Sequence, residues 1–497
     1  MKFEREAKLV VEPGFRMPDL SSPGVGLRGE PESTERFVST YHDTEDLRLV
    51  RWGAVLRYRA AEGWTVKLPQ AVDGPVVVRQ EHTFEGNPAR APAGAVDLTR
   101  GIARGGTVGP VVRLQTVRHR TRIARGAGNR SVAQVVDDEV SVLEGRRIVD
   151  RFREVEVELD EGVEGSVMIP ILALLTDAGA SVDQPLPKVV RALDARAAAP
   201  PDVVVPQVGL GSSVSEVARW VLAVSTERLI AHDAAVRVGD DPEGVHQARV
   251  AARRLRSGLL TLRPMLDRSW CDALRAELGW FGDELGRVRD VDVLGQRLRD
   301  HALLLPDDDA SSVARVLDRL WVRREAARTE LLSAMREPRY VALLDSLVEA
   351  AQHPRVLEES ADVPAIDVVA GVMEAPWARL HASCRRLDAR STDVELHEAR
   401  IRAKRVRYAA EALVPVFGKP AKRFARRAGT LQQVFGDHQD AVMAIAWLRE
   451  QAGGATPRVA FTAGRLAGIE ATARDEARRA WPAAWADLRR KRWRFWS

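Results

Sequence analysis

The chain is poor in the residues that would settle its chemistry outright. Its 497 residues include two cysteines, Cys271 and Cys384. That is too few for a disulfide scaffold or a cysteine-based zinc site, and single buried thiols fit a reducing cytoplasm. No run of 18 apolar residues occurs, and Met1-Lys2-Phe3-Glu4-Arg5 carries no export pattern, so a soluble cytoplasmic protein with no membrane partner is expected. Lysine and isoleucine are sparse beside arginine and alanine, which is the coding bias of a GC-rich genome and says nothing of function. The length allows two or three domains, each able to bury its own core.

Charge is unevenly placed. Residues 1–200 hold 28 Lys and Arg against 29 Asp and Glu, and the remainder holds 47 against 41. Within that basic remainder, the same helix is written twice. His246-Gln247-Ala248-Arg249-Val250-Ala251-Ala252-Arg253-Arg254-Leu255-Arg256 returns as His397-Glu398-Ala399-Arg400-Ile401-Arg402-Ala403-Lys404-Arg405-Val406-Arg407-Tyr408. In each copy a His is followed by cations at +3, +7, +8 and +10. At 100° per residue, positions 0, +3, +7 and +10 share a stripe under a quarter-turn wide. Like charges so placed cost a few tenths of a kcal/mol per pair, a cost that a polyanionic ligand would remove. The copies continue into Leu285-Gly286-Arg287-Val288-Arg289-Asp290 and Phe435-Gly436-Asp437-His438-Gln439-Asp440. The period is too long for a solenoid and implies two helical bundles related by a pseudo-two-fold. Asp290 and Asp440 are expected to pair with arginine and orient the basic face. His246 and His397 lack a second His at i+4 and a carboxylate on their own face, so anion binding is preferred to metal chelation. Single-stranded nucleic acid would want aromatic platforms among the cations. Only Tyr408 qualifies, so nucleic acid is the disfavoured polyanion and inorganic polyphosphate the favoured one.

Residues 1–165 read as β-structure, with short alternating runs at Glu4–Val10, Val55–Ala60, Trp64–Leu68, Arg118–Ile123, Val132–Val136 and Arg153–Leu159. Helices are expected over Val167–Ala178 and Val189–Ala199. A Pro- and Gly-rich linker spans 199–211, and from Ser213 the period becomes 3.6, as in Val214–Ala231, Val313–Arg336 and Phe461–Ala480. The basic-aromatic tail Arg489-Arg490-Lys491-Arg492-Trp493-Arg494-Phe495-Trp496 is expected to be a frayed, solubilising end. The strands carry rows of charge with period two: Glu4, Glu6 and Lys8; Arg57 and Arg59, then Lys67; Arg118, Arg120 and Arg122; Glu154, Glu156 and Glu158. A solvated sheet face would explain any single row. Such charges on five strands fit better a barrel with its charges turned inward, cations gripping a polyanion and carboxylates holding divalent metals that bridge to it.

These residues resemble known families. Glu4-x-Glu6-x-Lys8 is similar to the ExExK signature of the CYTH superfamily, the triphosphate tunnel metalloenzymes. Supporting it in order are Tyr41-His42-Asp43-Thr44, Leu56-Arg57-Tyr58-Arg59, Trp64-Thr65-Val66-Lys67, Glu81, the Arg118–Arg122 row, Asp137-Asp138, the Glu154–Glu158 row and Lys188. The helical stretch that follows resembles a CHAD domain, a module that binds polyphosphate. The resemblance implies an α+β protein: an antiparallel eight-stranded β-barrel tunnel at 1–198, a linker at 199–211, and an all-α domain of two pseudo-symmetric bundles at 212–497. It implies catalytic phosphate-gripping roles for Lys8, Arg57, Arg59 and Lys67, and substrate binding by Glu81, Arg118, Arg120, Arg122 and Lys188. Mg2+ or Mn2+ would be held by Glu4, Glu6, Asp138, Glu154 and Glu156. Which of the three arginines, and which of Asp137 and Asp138, faces the tunnel stays open. Polyphosphate would be bound by His246, Arg249, Arg253, Arg254, Arg256, His397, Arg400, Lys404, Arg405 and Arg407. The expected function is hydrolysis of inorganic triphosphate-type substrates coupled to polyphosphate binding, with association with polyphosphate granules as a further expectation. The alternatives are a non-catalytic polyphosphate-binding or granule-targeting protein, or a triphosphatase acting on an organic triphosphate.

Overall fold

The computed structural model describes residues 2–496 except 13, 74–75, 127–129, 183–185 and 194; the side chains of 2–4, 70–79 and 369–370 also lie outside the description. The chain divides into two compact units, 1–202 and 203–497. Among the described residues no helix is long and apolar enough to cross a membrane.

The first unit is an antiparallel sheet of nine strands: β1 (Lys2–Val10), β2 (Leu27–Pro31), β3 (Glu35–Asp43), β4 (Val55–Arg59), β5 (Gly63–Asp73), β6 (Val76–Phe84), β7 (Gly109–Arg125), β8 (Arg130–Glu144) and β9 (Arg147–Leu159). Its order is β2-β7-β3-β4-β5-β6-β1-β9-β8, and β8 pairs back onto β7. Eight strands therefore form the ring. The short β2 lies beside Thr121–Arg125 of β7, beyond the stretch where β3 covers the same edge at Gly109–Arg118. Closure leaves each ring strand with two faces and no free edge. Apolar positions take the outer face. Ala7, Leu9, Val135, Val155 and Val157 pack beneath Met168, Ile171 and Leu175 of helix α3 (Met168–Asp177). Burying each such side chain contributes roughly 1.5–3 kcal/mol, which sends the alternate, charged positions into the lumen. Three other helices accompany this sheet: α1 (Arg48–Arg51), α2 (Ala93–Ala103) and α4 (Lys188–Ala192). The helix expected over Val189–Ala199 is broken, with α4 followed by a 3-10 turn at Ala195–Ala198. The start of the expected linker is tied down: Arg51 donates to the Pro200 carbonyl (2.8 Å) and the Trp52 indole to Asp202 (2.8 Å).

The second unit is helical: α5 (Val214–Val238), α6 (Pro242–Leu262), α7 (Arg268–Ala302), α8 (Ala310–Ala334), α9 (Pro338–Gln352), α10 (Glu358–Ala361), α11 (Ala365–Val372), α12 (Glu374–Arg386), α13 (Asp393–Ala412), α14 (Val414–Phe417), α15 (Lys419–Ala452) and α16 (Pro457–Leu488). A displacement of 151 residues carries α6 onto α13 and the start of α7 onto that of α15, and from Gly279 and Gly429 onward the displacement is 150. The caps obey it: the Asp241 side chain accepts from Glu243 N at the start of α6, and Thr392 accepts from Glu395 N at the start of α13. Both satisfy first-turn donors that would otherwise lack partners. One core is built by α7, α8, α15 and α16 around Leu298, Val316, Leu320, Leu448 and Leu466.

The tail is not frayed, contrary to expectation. Trp496 packs edge-on against Phe424 at 4.8 Å and Trp377 at 6.1 Å, Phe495 meets Phe417 at 5.1 Å, and Arg427 lies 3.4 Å over the Trp493 ring. Interleaved aromatics gave the tail an apolar side, and the ring cluster on α12 and α15 supplies its partner. Trp496→Ala should therefore lower the unfolding free energy by about 2 kcal/mol, less than a fully buried aromatic would. Denaturant titration reads this, and an unchanged midpoint would return the tail to a solvated end.

Candidate functional site

The lumen of the first unit is built by register. Lys8 stands opposite Glu156 and Glu6 opposite Glu158 across β1–β9, while Arg118 stands opposite Asp138 across β7–β8. Lys67 faces Val55 on one side and Glu81 on the other, and Ser39 faces Arg59. The cavity these strands enclose is about 270 Å³ and lined by Glu6, Lys8, Arg57, Arg59, Lys67, Glu81, Arg118, Arg120, Asp138, Glu156 and Lys188, all expected from the sequence. It also holds Phe37, Ser39, Glu62, Thr116 and Glu158.

Charges there are buried but matched. Lys8 contacts Glu156, lies 3.0 Å from Glu154 and 3.5 Å from Glu6. Lys188, at the start of α4, reaches Asp138 (2.9 Å), Glu156 (2.9 Å) and Glu154 (3.1 Å). Arg118 makes a two-pronged bond to Asp138 at 2.8 and 2.7 Å. Burial alone would raise the Asp138 carboxyl, but Lys188 and Arg118 hold it well below the usual carboxylate range. Arg59 contacts Glu62 and lies 3.8 Å over the Phe37 ring. Burial, and then the neighbouring Arg57, bring Arg59 down to about 10, so it remains charged at neutral pH.

One group of like charges stands out. Glu6, Glu156 and Glu158 can bring one carboxylate oxygen each within 4.8 Å of the others. Directly opposed like charges destabilise a sheet pair, and this triad sits in a mostly buried lumen. Its all-oxygen donor set suits a hard divalent cation. The triad departs from the sequence-derived ligand set. Glu158 belongs to it and Asp138 and Glu154 do not; Glu156 is common to both sets and is engaged by Lys8 and Lys188, as Glu154 is. The side chain of Glu4 lies outside the described residues. Two open questions close. Asp138 faces the lumen, while Asp137 binds Arg153 on the opposite face at 2.7 Å. Arg118 and Arg120 line the cavity, with Arg120 2.9 Å from Glu35; Arg122 lies beyond it, bonded to Glu30 of β2 at 2.6 Å. Glu62 was missed because it sits in the β4–β5 turn, where no alternation marks it; a carboxylate three residues after a paired-arginine strand was the available signal.

In the helical unit the two basic stripes meet. His246, Arg249, Arg253, His397, Arg400 and Lys404 line one cavity of about 710 Å³ with Arg289, Arg297 and Arg323. Arg249 bonds Asp290 at 2.7 Å, and Arg400 lies 3.9 Å from Asp440. His397 Nδ1 is 2.9 Å from Gln439. Arg253 and Lys404 make no ion pair among the described residues; Arg253 lies 5.4 Å over the Tyr408 ring. The arginines rest on bare backbone: a Cβ built on Gly286 would come within 3.5 Å of Arg249, and on Gly436 within 3.8 Å of Arg400. Gly279 under Arg256 and Gly429 under Arg407 repeat the device one heptad earlier. That seven-residue glycine spacing stands in both copies of the sequence and was overlooked. Not all ten expected cations share the groove. Arg254 and Arg405, at +8, lie about 80° from the His on the helical wheel, off the stripe, and they line separate flanking cavities. Arg407 joins Arg254 in the first of these, and Arg256 is solvent-exposed.

Crowding has a titratable consequence. Burial, then Arg400, Arg253 and Arg249, lower the Lys404 ammonium to about 7. A polyanion in the groove favours the protonated form, so binding takes up a proton above that pH. Affinity for long-chain polyphosphate should fall severalfold as pH rises from about 6 to about 9. Lys404→Arg, which cannot lose its charge in that range, should abolish most of the dependence; a wild-type affinity flat with pH refutes it.

The chain thus joins a closed antiparallel barrel with an ion-lined lumen to a duplicated helical unit with a basic groove. The family model of the CYTH domain matches residues 2–179 and that of the CHAD domain matches 221–449. The uncharacterized protein Rv2226 of Mycobacterium tuberculosis is 30% identical over 473 residues, covering 90% of this chain and 88% of the relative. The chain belongs to the family of proteins that carry a CYTH domain ahead of a CHAD domain. Among solved structures, the CHAD domain from the plant Ricinus communis is 26% identical (TM-score 0.47), spanning 57% of this chain and 95% of that one. PptA from Streptomyces chartreusis is 24% identical (TM-score 0.46), spanning 55% and 100%. CYTH domains occur in triphosphatases and adenylyl cyclases and use divalent metal ions.

Proposed function

We propose that the first unit hydrolyses inorganic triphosphate-type substrates with Mg2+ or Mn2+, and that the second binds inorganic polyphosphate. The observation that carries the enzymatic half is the confinement of cation rows and a carboxylate triad within one narrow lumen. A phosphate chain has anionic oxygens all along its length. Arg57 and Arg59 meet them by exchanging Glu62 for phosphate, and Lys67 and Arg120 offer further contacts from the same wall. Arg118 and Lys188 are held in place by Asp138. Glu6, Glu156 and Glu158 would hold the divalent ion, with Glu154 keeping Lys8 beside them. Held by those carboxylates, a divalent ion would supply neutralisation of phosphate charge and a more acidic bound water. The reaction adds water across a phosphoanhydride: a P–O bond forms to the water oxygen, the bridging P–O bond breaks, and orthophosphate leaves. The apolar, helix-covered outer wall fixes the strands, so the charges are positioned before substrate arrives. The second unit's groove offers charge with little aromatic surface, which favours an inorganic chain.

The test is orthophosphate release from tripolyphosphate, pyrophosphate and ATP, with and without Mg2+ or Mn2+. Metal-dependent release, fastest from tripolyphosphate, is expected. Arg57→Ala and Arg59→Ala should each raise KM and lower kcat together, by about tenfold or more, because they meet charge present in the ground state that redistributes in the transition state. No turnover of any triphosphate with either metal would leave a binding protein only.

A further inference from the structure

The two cavities that flank the basic groove are images of one another under the 151-residue displacement. Arg254 and Gly258 of α6 line the first, and Arg405 and Ala409 of α13 line the second. Tyr408 and Ala412 in the first answer to Ser257 and Thr261 in the second, and Arg228 answers to Arg379. The two have diverged in one direction. At the second cavity, helix α7 is capped by Asp267, which accepts from Trp270 N, and Asp272 binds Arg263 (2.9 Å) and Arg275 (3.0 Å). At the N-cap of α15 in the first cavity stands Gly418, and Lys422 lies seven residues before Gly429 as Asp272 lies seven before Gly279, with Arg423 beside it. Helix α15 thus begins with no side-chain cap, and a carboxylate has become a cation. Glu411 is the one acid of that lining, and it is taken by Arg407 (2.7 Å) and Arg254 (3.5 Å). Arg228, Lys419, Lys422, Arg423 and Arg426 make no ion pair among the described residues. The positive end of the α15 dipole adds to their field.

The same cavity has gained what the groove lacks. Trp220 stands where its image has Gly371, and Tyr408 where its image has Ser257. Val221, Val224 and Val414 extend this apolar wall, and the space is about 770 Å³ against about 400 Å³ for the image. Tyr408 is only 6% exposed, yet its hydroxyl has no hydrogen-bond partner among the described residues. A buried, unpaired hydroxyl costs roughly 1–3 kcal/mol, a penalty that a polar group of a ligand would relieve. We propose that this cavity, between α5, α13 and the start of α15, binds an organic polyphosphate of the nucleoside triphosphate class. The phosphates would meet Lys419, Lys422 and Arg423 at the uncapped helix start, and the ring would lie in the Trp220–Tyr408 wall. A bare phosphate chain would gain nothing from that wall.

Photolabelling of the full chain with an azido-adenosine triphosphate, in chelator to stop hydrolysis, followed by peptide mapping, tests this. Label is expected in peptides of 214–228 or 401–426. Trp220→Ala and Arg423→Asp, the latter reversing a charge at the helix start, should each cut it at least tenfold, and Trp220→Phe should keep most of it. Unchanged melting temperatures serve as the folding control. Label confined to 1–202, or absent throughout, overturns the proposal. So does label that survives either Trp220→Ala or Arg423→Asp, the first outcome meaning a simple anion site. None of these readouts depends on tripolyphosphate hydrolysis or on long-chain binding in the groove, so the two readings fail separately.

Discussion

Glu6→Gln should lose most of the triphosphatase activity, about a hundredfold or more in kcat, while the melting temperature barely moves. Glu6 is almost fully buried, stands directly opposite Glu158, and completes the triad with Glu156. Swapping carboxylate for amide preserves volume and removes one charge from a like-charged cluster, and Lys8 keeps Glu154 and Glu156 as partners when it loses Glu6, so stability should change little. What is lost is a hard oxygen ligand with full negative charge. Glu158→Gln should behave the same way. Asp138→Asn should differ, because Asp138 braces Arg118 and Lys188 and its loss leaves two buried cations short of a partner. That variant is expected to lower stability as well as rate. Phosphate-release kinetics across a metal titration, beside thermal melts, separate the two patterns. Near-normal turnover by Glu6→Gln at saturating metal would remove the triad from the reaction.

Replacing Arg249, Arg253 and Arg256, or Arg400, Lys404 and Arg407, should weaken long-chain polyphosphate binding by about a hundredfold or more at low salt. Arg249 and Arg253 of the first triple and Arg400 and Lys404 of the second line the shared groove from its two copies, so a chain long enough to touch both gains effective concentration that a short one cannot. Wild-type affinity should therefore climb with chain length and then level off, and either triple should flatten that climb. The slope of log affinity against log salt should shrink with the phosphate contacts removed. Arg256 is solvent-exposed, so Arg253 with Lys404 should carry more of the loss than Arg256 alone. Equal affinity of the triples and the wild type would make the repeated stripe structural.

The sequence by itself determined which residues travel together. Period-two rows put Glu6 with Lys8, Arg57 with Arg59 and Glu154 with Glu156, and the helical period put His246, Arg249 and Arg253 on one stripe. Both follow from backbone geometry, which is local, as does the 151-residue duplication. Alternation says which side chains share a face and not which face is the lumen. That was decided by α3 covering the apolar side of β1, β8 and β9. Likewise it required a partner strand to set Glu158 against Glu6, to turn Asp137 onto Arg153, and to lead Lys188 back to Asp138 from 50 residues downstream. The tail's fate depended on the ring cluster of α12 and α15, which no stretch of tail residues announces. Nor can a helical wheel show that Lys404 is crowded by arginines from the other copy, since that field exists only once α6 and α13 line the same cavity. Local periodicity is written in the chain; burial and charge coupling are properties of what packs against it.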